Sequence, residues 1–406
     1  MTEENMSRLD ELIQQYCPDG VEFKTIGEVC VVLTGGEAPD DAIKGKEPFG
    51  DCIYPIYSNG VGENALWGYA SSYKIEKVSV TFSSIGTIGY PTIRKGYYTP
   101  IIRLKVIYPQ DDSQLSVFYL KYALETVEFE KQKSSVPNIN ANMIKAISIP
   151  LPPLPVQEEI VRILDNFTEL QAELQAELQK RKQQYNYYLD NLLNFNREGA
   201  SSRAKNRLNE LIQQYCPDGV EHYKIKDVYK RIKGTPITAG KMKEIATPDG
   251  CVRIFAGGKT VIDANEKDIP NANITRVPAV LVQSRGVIDA VYYDKPFTFK
   301  NEMWAYTTFN QKSVKYLYYI LKSNIQTFRD AASGMGSLPQ ISLGVTEEFE
   351  IPVPPLPVQE EIVRILDNFN ILVNDLTQGL PAEIEKRRLQ YEYYRDKLLT
   401  FKRKGA

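Results

Sequence analysis

The sequence predicts an α+β protein in which two globular α/β domains are separated by a pair of long antiparallel coiled-coil helices, with a pseudo-two-fold internal repeat. A fifteen-residue string, Pro153–Phe167, returns unchanged at Pro355–Phe369. Identity of this length and complexity indicates that the chain is duplicated. Each string opens a segment with heptad-like apolar spacing. The stretches 24–150 and 224–350 hardly match each other, so near-identical frames enclose divergent inserts.

Two further pairs of strings set the limits of the repeat. Glu11–Glu22 returns as Glu210–Glu221, and the pattern from Lys180 to Ala200 returns from Lys386 to Ala406. The repeated unit is therefore about residues 1–200 and again 201–406. The predicted division of the chain is a short frame segment 1–23, a globular insert 24–150, a long helix 151–200, a second frame segment 201–223, a second insert 224–350 and a second long helix 351–406.

Composition limits the kinds of protein that the chain can be. With 406 residues, 43% of them hydrophobic, each half is long enough to bury a core. No apolar run reaches membrane-spanning length and the first residues lack a signal-peptide pattern, so we expect a cytoplasmic protein without a membrane partner. The net charge of −2 gives no global sign of nucleic-acid binding, which must therefore be local if it occurs.

Cysteine and histidine usage argues against several kinds of chemistry. The five cysteines show no C-x-x-C spacing, which favours reduced thiols over disulfides or a zinc site. Cys17 and Cys216 are a repeated pair that we expect to pack as small apolar residues. His222 is the single histidine, which argues against histidine-dependent catalysis and histidine-ligated metals.

The frame segments predict short amphipathic helices over 6–16 and 206–215. Leu9, Leu12 and Ile13 share one face of the first helix. Each helix is followed by Cys-Pro-Asp-Gly, in which proline stops the helix and Asp-Gly favours a turn. Two alternatives remain for the surface that this apolar face packs against, namely the helix's own domain and a partner protein.

The segment after Pro155 predicts a helix of some 40 residues, about 60 Å long. Its apolar seam includes Ile160, Phe167 and Leu170, and the second copy continues its seam to Leu376. Gly379-Leu380-Pro381 predicts a kink or a break in that copy. The tandem Leu-Gln-Ala-Glu units from Leu170 suggest a ruler, because each unit changes the helix by about 6 Å. Pseudo-two-fold pairing of the copies would make them antiparallel.

Both inserts predict short strands with glycine-rich turns and one aromatic helix. The strand predictions are 77–82 and 277–282, and the helix predictions are 117–122 and 314–321. The aligned inserts keep their turn glycines and change the neighbouring residues, as in Ser83-Ser84-Ile85-Gly86 against Gln283-Ser284-Arg285-Gly286. The changed residues are Ser, Asn, Gln and Arg, which are the types that read base edges. The alternative for any one loop is an ordinary turn.

Tests for enzyme motifs fail. Gly257-Gly258-Lys259-Thr260 resembles the end of a phosphate loop, but Arg253 stands where the pattern needs its first glycine. Gly334-Met335-Gly336 lacks the third glycine of a dinucleotide fingerprint. We therefore expect no catalytic residue and no metal site in this chain, and a non-catalytic role.

One string identifies a family resemblance. Ile149–Val161, with its copy from Ile351, is similar to the I-P-x-P-P-L-x-x-Q-x-x-I region of specificity (S) subunits of type I restriction-modification systems. The resemblance implies that the inserts are two target recognition domains, each reading one half of a bipartite double-stranded DNA site. It also implies two methyltransferase (M) subunits and restriction (R) subunits as partners. Adenine methylation and cleavage, with S-adenosylmethionine, ATP and Mg²⁺, would then belong to those partners, and this chain would hold no cofactor.

Together, the loops and the resemblance predict the functional residues. The predicted DNA contacts are Asn59, Ser83, Ser84, Ser135, Asn138, Lys259, Gln283, Arg285, Met335 and Gln340. The residues predicted to contact the M subunit or to form the spacer are Gln157, Ile160, Phe167, Gln359, Ile362 and Phe369. The alternative function is a scaffold that presents two ligand-binding modules on a coiled coil without binding DNA. A self-contained modification enzyme is disfavoured by the missing motifs.

Overall fold

The computed structural model describes residues 3–84, 89–127, 139–195, 207–333 and 338–405, with side chains from Arg8 onward. The chain divides into two compact units. The first unit comprises Met1–Gln175 and Ile384–Ala406, and the second comprises Ala176–Glu383. The C-terminal segment therefore belongs with the N-terminal insert, which the linear division of the sequence did not anticipate. The predicted boundaries of the inserts themselves stay predictions.

Helices of the first half of the chain include both predicted types, short frame helices and one long helix. They are α1 (Glu3–Tyr16), α2 (Ile26–Val29), α3 (Val117–Glu125), α4 (Ala141–Lys145) and α5 (Leu154–Leu192). The strands are β1 (Glu22–Thr25), β2 (Cys30–Thr34), β3 (Ile43–Lys44), β4 (Tyr54–Tyr57), β5 (Leu66–Ala70), β6 (Ser79–Ser83), β7 (Gly89–Arg94), β8 (Thr99–Pro100), β9 (Lys105–Pro109) and β10 (Ser148–Leu151).

The second half follows a similar order. Its helices are α6 (Arg207–Tyr215), α7 (Ile225–Val228), α8 (Ala239–Ile245), α9 (Gln311–Ser323), α10 (Ile325–Asp330), α11 (Leu343–Glu347), α12 (Leu356–Asn374) and α13 (Leu380–Leu398). Its strands are β11 (His222–Lys224), β12 (Lys230–Lys233), β13 (Val252–Phe255), β14 (Val261–Ala264), β15 (Ala279–Gln283), β16 (Asp289–Tyr293), β17 (Phe297–Phe299), β18 (Trp304–Thr307) and β19 (Glu350–Pro352). Compared with the first half, α8 stands in place of β3, α10 is added, and the long helix is divided into α12 and α13.

The two inserts share one sheet topology despite their divergent sequences. A four-stranded sheet runs β2-β9-β6-β7 in the first unit and β12-β18-β15-β16 in the second. Beside it, β5-β4-β8 corresponds to β14-β13-β17, and in each unit the last pair is parallel. The antiparallel pairs β1–β10 and β11–β19 tie the two ends of each insert together. The strand and helix predictions for the inserts are confirmed, with strands that begin two residues later than predicted.

The frame helices pack on their own units. Leu9 of α1 and Leu208 of α6 are buried in the cores that also hold the first turns of α5 and α12. Gly20 and Gly219 lie at φ +92° and +99° just after the helices, as the Asp-Gly turn requires. Cys17 and Cys216 are buried free thiols, and burial raises the pKa of both. The apolar face of each frame helix therefore packs on its own unit, which is one of the two alternatives predicted from the sequence.

Helix α5 confirms the long-helix prediction. It has 39 residues, which corresponds to about 58 Å. The second copy is interrupted between α12 and α13, which confirms the break predicted at Gly379-Leu380-Pro381. Asp375 accepts hydrogen bonds from the backbone and hydroxyl of Thr377, an Asx turn that leads the chain out of α12. The prediction of a continuous apolar seam was wrong at two positions. Leu376 lies in this interruption and is 80% exposed, and Leu170 is 47% exposed.

Within the first unit, the C-terminal helix packs against the first part of α5. The ring of Phe167 stacks on Tyr394 with centroids 5.5 Å apart, and the side-chain amide of Gln171 donates to the carbonyl of Arg387 at 3.2 Å. As residue numbers rise on α5 they fall on α13, so the pair is antiparallel. Within the second unit, Tyr188 of α5 packs against Phe369 of α12 at 5.0 Å. The predicted antiparallel pairing is confirmed for the helix segments of the first unit.

Candidate nucleic-acid interface

In the first unit, three loops that follow strands of its two four-stranded sheets meet at one place. They follow β4, β6 and β8, and they carry Asn59, Ser84 and Arg103 respectively. The Ser83 hydroxyl donates to the Asn59 carbonyl at 2.8 Å, and the Ser84 hydroxyl donates to the Arg103 carbonyl at 2.9 Å. Ser83 and Ser84 are 4% and 0% exposed. These serines hold the loops together, because their hydroxyls donate to protein carbonyls. The prediction that they contact bases stays a prediction.

The Asn59 side chain also holds the loops together. Its amide oxygen accepts from the Ser84 backbone at 2.9 Å, and its amide nitrogen donates to the Ile102 carbonyl. Both ends of the amide are therefore engaged within the protein, and the prediction that Asn59 reads a base stays a prediction. The turn that it holds, Ile102-Arg103, is the exposed element at this place. Sequence reasoning missed Arg103, since nothing in the sequence marks it as a loop tip.

The second unit repeats this arrangement. The Gln283 side chain donates to the Gly258 carbonyl at 3.0 Å, and the Ser284 hydroxyl donates to the Glu302 carbonyl. Gln283 is buried, and its amide nitrogen is already used. Gln283 ties the β15 strand to the glycine loop, and the prediction that it contacts DNA stays a prediction.

Three predicted residues of the second unit lie exposed on this loop framework. Lys259, Arg285 and Gln340 all face solvent. Arg285 forms a β-bridge with Gln340, and its carbonyl accepts from the Gly258 backbone at 3.1 Å, which brings Lys259 next to it. Among the residues that the structure describes, the Arg285 side chain has no hydrogen bond or ion pair. We call this set the Arg285 cluster, and it fits the predicted contact role, which stays a prediction.

A cavity of about 430 Å³ lies beside the Arg285 cluster. Its cationic lining residues are Lys243, Lys300 and Arg285, and its one acidic lining residue is Glu302. Glu302 pairs with Lys300 at 2.9 Å, so the remaining two cations give the cavity a positive balance. Gly258 and Gly286 lie at φ +72° and +81° on its rim, a conformation that favours glycine and lets a ligand approach the backbone closely.

Some predicted contacts cannot be placed. Ser135, Asn138 and Met335 lie outside the described residues, as do Ile85 and Gly86. In the described part of the chain, no group of three or more His, Cys, Asp or Glu side chains is placed to hold a metal ion. Within the same ranges, no helix combines the length and the apolar character that a membrane crossing requires.

The residues predicted for partner contact or the spacer separate into two groups. Phe167 and Phe369 pack on tyrosines of the long helices, as a spacer role needs. Gln157, Ile160, Gln359 and Ile362 are buried in the cores of their own units. These four side chains have a role inside the fold, and the prediction that they contact an M subunit or form the spacer stays a prediction.

Gln157 shows what that role is. Its amide oxygen accepts from the Ser116 backbone at 2.8 Å, and its amide nitrogen donates to the carbonyls of Gln114 and Pro152. It thereby joins the start of α5 to the start of α3. Gln359 repeats the arrangement, accepting from Ser313 and donating to Pro354. Each glutamine fixes a recognition insert to the first turn of its long helix.

Replacing Gln157 by alanine is expected to lower the free energy of unfolding by about 1–3 kcal/mol, because buried backbone groups lose their partners. Urea denaturation of the purified chain measures the loss. Glu158→Ala, which removes an exposed neighbour on the same turn, is the matched control. Equal stability of the two variants would contradict the role assigned to Gln157.

Comparison with known proteins gives a consistent result. The family described as "Type I restriction modification DNA specificity domain" matches residues 18–181 and 217–386. The chain is 31% identical to the specificity subunit of the type I restriction enzyme EcoR124I/EcoR124II of Escherichia coli, covering 98% of this chain and 97% of that protein. It is 26% identical to a putative type I specificity subunit, S.MpnORF507P, of Mycoplasma pneumoniae, over 93% of this chain and 96% of the relative.

A solved structure shares the fold. The type I restriction-modification S subunit from M. genitalium aligns with a TM-score of 0.59 at 16% identity, covering 94% of this chain and 96% of that one. At this identity the likeness supports the fold alone. The matched family domain occurs twice, once in each half of the chain, as the duplicated sequence and the repeated sheet topology require. The chain therefore belongs to the type I restriction-modification DNA specificity family.

Proposed function

We propose that this chain is the non-catalytic DNA-recognition subunit of a type I restriction-modification complex, in which each insert reads one half of a bipartite duplex site. The observation that carries the proposal is the repeated loop framework. Ser84 and Ser284 make equivalent hydrogen bonds, whereas the exposed residues around them differ between the units. A fixed framework with changed exposed side chains suits two readers of different base sequences.

The proposed partners are two M subunits and R subunits. The relative from Escherichia coli is described as the specificity subunit of a type I restriction enzyme, which supports partner subunits in general. Methylation of adenine and cleavage, with S-adenosylmethionine, ATP and Mg²⁺, would take place on those partners. The net charge of −2 supports this division of labour. Phosphate contacts dominate affinity for DNA, and a chain without excess positive charge needs partners that supply many of them.

The proposed role of the long helices is to set the gap between the half-sites. Helix α5 is continuous through the Leu-Gln-Ala-Glu units, so its length is fixed by residue number at about 1.5 Å per residue. Phe167 and Gln171 pack α5 against α13 within the first unit, and Tyr188 packs α5 against α12 within the second unit.

Selection of bound duplexes from a random library tests the proposal. The chain is assembled with its M subunits, and the bound DNA is sequenced. We expect two short conserved blocks separated by a non-conserved gap of constant length. The isolated chain should bind the same duplex weakly at physiological salt, since the phosphate contacts of the partners are missing. Recovery of no conserved block would instead support a scaffold that does not bind DNA.

A further inference from the structure

The two units build their exposed loops on the same hydrogen bonds. In the first unit, the Ile101 backbone donates to the Tyr57 carbonyl at 2.9 Å, and the Leu104 backbone donates to the Ile101 carbonyl at 3.1 Å. In the second unit, the corresponding bonds are Lys300 to Phe255 at 3.0 Å and Met303 to Lys300 at 3.0 Å. The turn Ile102-Arg103 therefore corresponds to the turn Asn301-Glu302.

The serine bonds give the same correspondence independently. Ser84 donates to the carbonyl of Arg103, and Ser284 donates to the carbonyl of Glu302. The position after the serine is Ile85 in the first unit and Arg285 in the second. Each unit thus has a single arginine at one of two equivalent positions. The first unit has it on the turn after β8, and the second has it on the loop after β15.

The turn of the first unit is strained. Ile102 and Arg103 lie at φ +51° and +59°, a left-handed region that is unfavourable for residues with a side chain. Asn301 and Glu302, both of which the structure describes, do not adopt this positive-φ conformation. Such conformations persist only where the surroundings enforce them, and they concentrate at functional sites.

The surroundings of the turn are specialised to hold it. The backbone amides of Ile102 and Arg103 donate to the carbonyls of Gly36 and Gly35 at 2.8 and 3.0 Å. Both carbonyls of the turn accept side-chain hydrogen bonds, from Asn59 and Ser84. Four hydrogen bonds therefore fix the backbone of the turn, and both of its side chains face solvent.

Arg103 has the exposure and charge of a ligand-binding group. Its guanidinium has no hydrogen bond or ion pair among the described residues. The neighbouring Lys105 is buried, and its ammonium donates to the Thr34 hydroxyl at 3.0 Å. Burial, and then the charge of Arg103, lower the pKa of Lys105. An anionic or strongly polar ligand would relieve this concentration of positive charge.

We propose that Arg103 is the base-reading arginine of the first unit, presented on the strained Ile102-Arg103 turn where the second unit uses Arg285. The ligand is a base edge in the major groove, and guanine offers the pair of acceptors that a guanidinium fork matches. The apolar side chain of Ile102, 53% exposed, is placed to contact the same or the adjacent base pair. This inference rests on the proposed function.

The test uses three variants in the chain assembled with its M subunits. Arg103→Ala removes the guanidinium, Arg103→Lys keeps the charge without the fork, and Lys95→Ala removes another exposed cation of the same insert. Binding is measured to duplexes that carry each possible base at each position of both half-sites. We expect Arg103→Ala to reduce discrimination at one position of the first half-site by roughly 5- to 150-fold. Lys95→Ala should leave every position unchanged.

The arginine-to-lysine variant separates base reading from phosphate binding. A loss of affinity in Arg103→Ala that is uniform across all sequences, and that Arg103→Lys restores, would overturn base reading by Arg103. A loss of discrimination at one position supports base reading, and failure of lysine to restore that discrimination shows that the guanidinium fork is needed. The second half-site is the internal control for folding, because its discrimination should be unchanged in every variant. A wild-type complex without sequence preference would refute the proposed function itself. A wild-type preference that Arg103→Ala leaves intact would refute this inference alone.

Discussion

Replacing Arg285 by alanine is expected to relax one base position of the second half-site, at a cost of about 1–3 kcal/mol in binding. The cause is the loss of the Arg285 guanidinium, which is carried by a backbone that is hydrogen-bonded on both sides. Its carbonyl accepts from Gly258, and the next residue, Gly286, donates to the Pro339 carbonyl at 2.9 Å. Competition binding with duplexes substituted at each position of the half-site measures the effect, using the assembled complex.

Arg276→Ala is the matched control for this prediction. Arg276 is an exposed arginine of the same insert, and its guanidinium already pairs with both carboxylate oxygens of Glu266. Its loss should change neither the base preference nor the half-site spacing. If Arg285→Ala kept full stringency at every position of the second half-site, the Arg285 cluster would not be a base-reading surface.

Removing one Leu-Gln-Ala-Glu unit from α5, residues 174–177, is expected to change which half-site spacing is bound. The deletion shortens the helix by about 6 Å. Since base pairs are about 3.4 Å apart along the duplex, the preferred gap should change by one to two base pairs. Each half-site sequence should stay the same. Binding to synthetic duplexes in which only the gap varies measures this change.

Substituting Leu174, Gln175 and Glu177 by alanine, with Ala176 unchanged, is the control, because it keeps the helix length. That variant should retain the wild-type spacing. A deletion variant that binds the original spacing with unchanged affinity would show that α5 does not set the gap. A variant that binds every spacing equally would show that the inserts are joined flexibly.

Helices and repeats were predictable because their signals are local. The identical strings located the duplication, and the spacing of Ile160 and Phe167 predicted the buried face of α5. Glycine and proline chemistry predicted the turn after α1 and the interruption before α13. The seam failed at Leu376 because a heptad pattern does not show where a helix ends. It failed at Leu170 because the pattern does not show which residue faces the partner helix, and the neighbouring Gln171 makes that contact with α13.

The site was predictable only as a set of loops. Asn59, Ser84 and Gln283 were chosen because their side chains can read bases, but each uses its polar groups to hold the loops. The same chemistry serves both tasks, and only the tertiary structure shows which carbonyl lies opposite. Arg103 was missed for the converse reason, since its left-handed turn is imposed by distant residues and no glycine marks it in the sequence.

The central claim is that two dissimilar readers on one chain recognise two half-sites across a fixed gap. The most direct measurement is a map of methylated adenines in the genome of the host, with and without this gene. We predict that the gene accounts for methylation at one bipartite motif, with two defined half-sites and a gap of constant length. A map that does not change on loss of the gene, or a motif without a gap, would contradict the account.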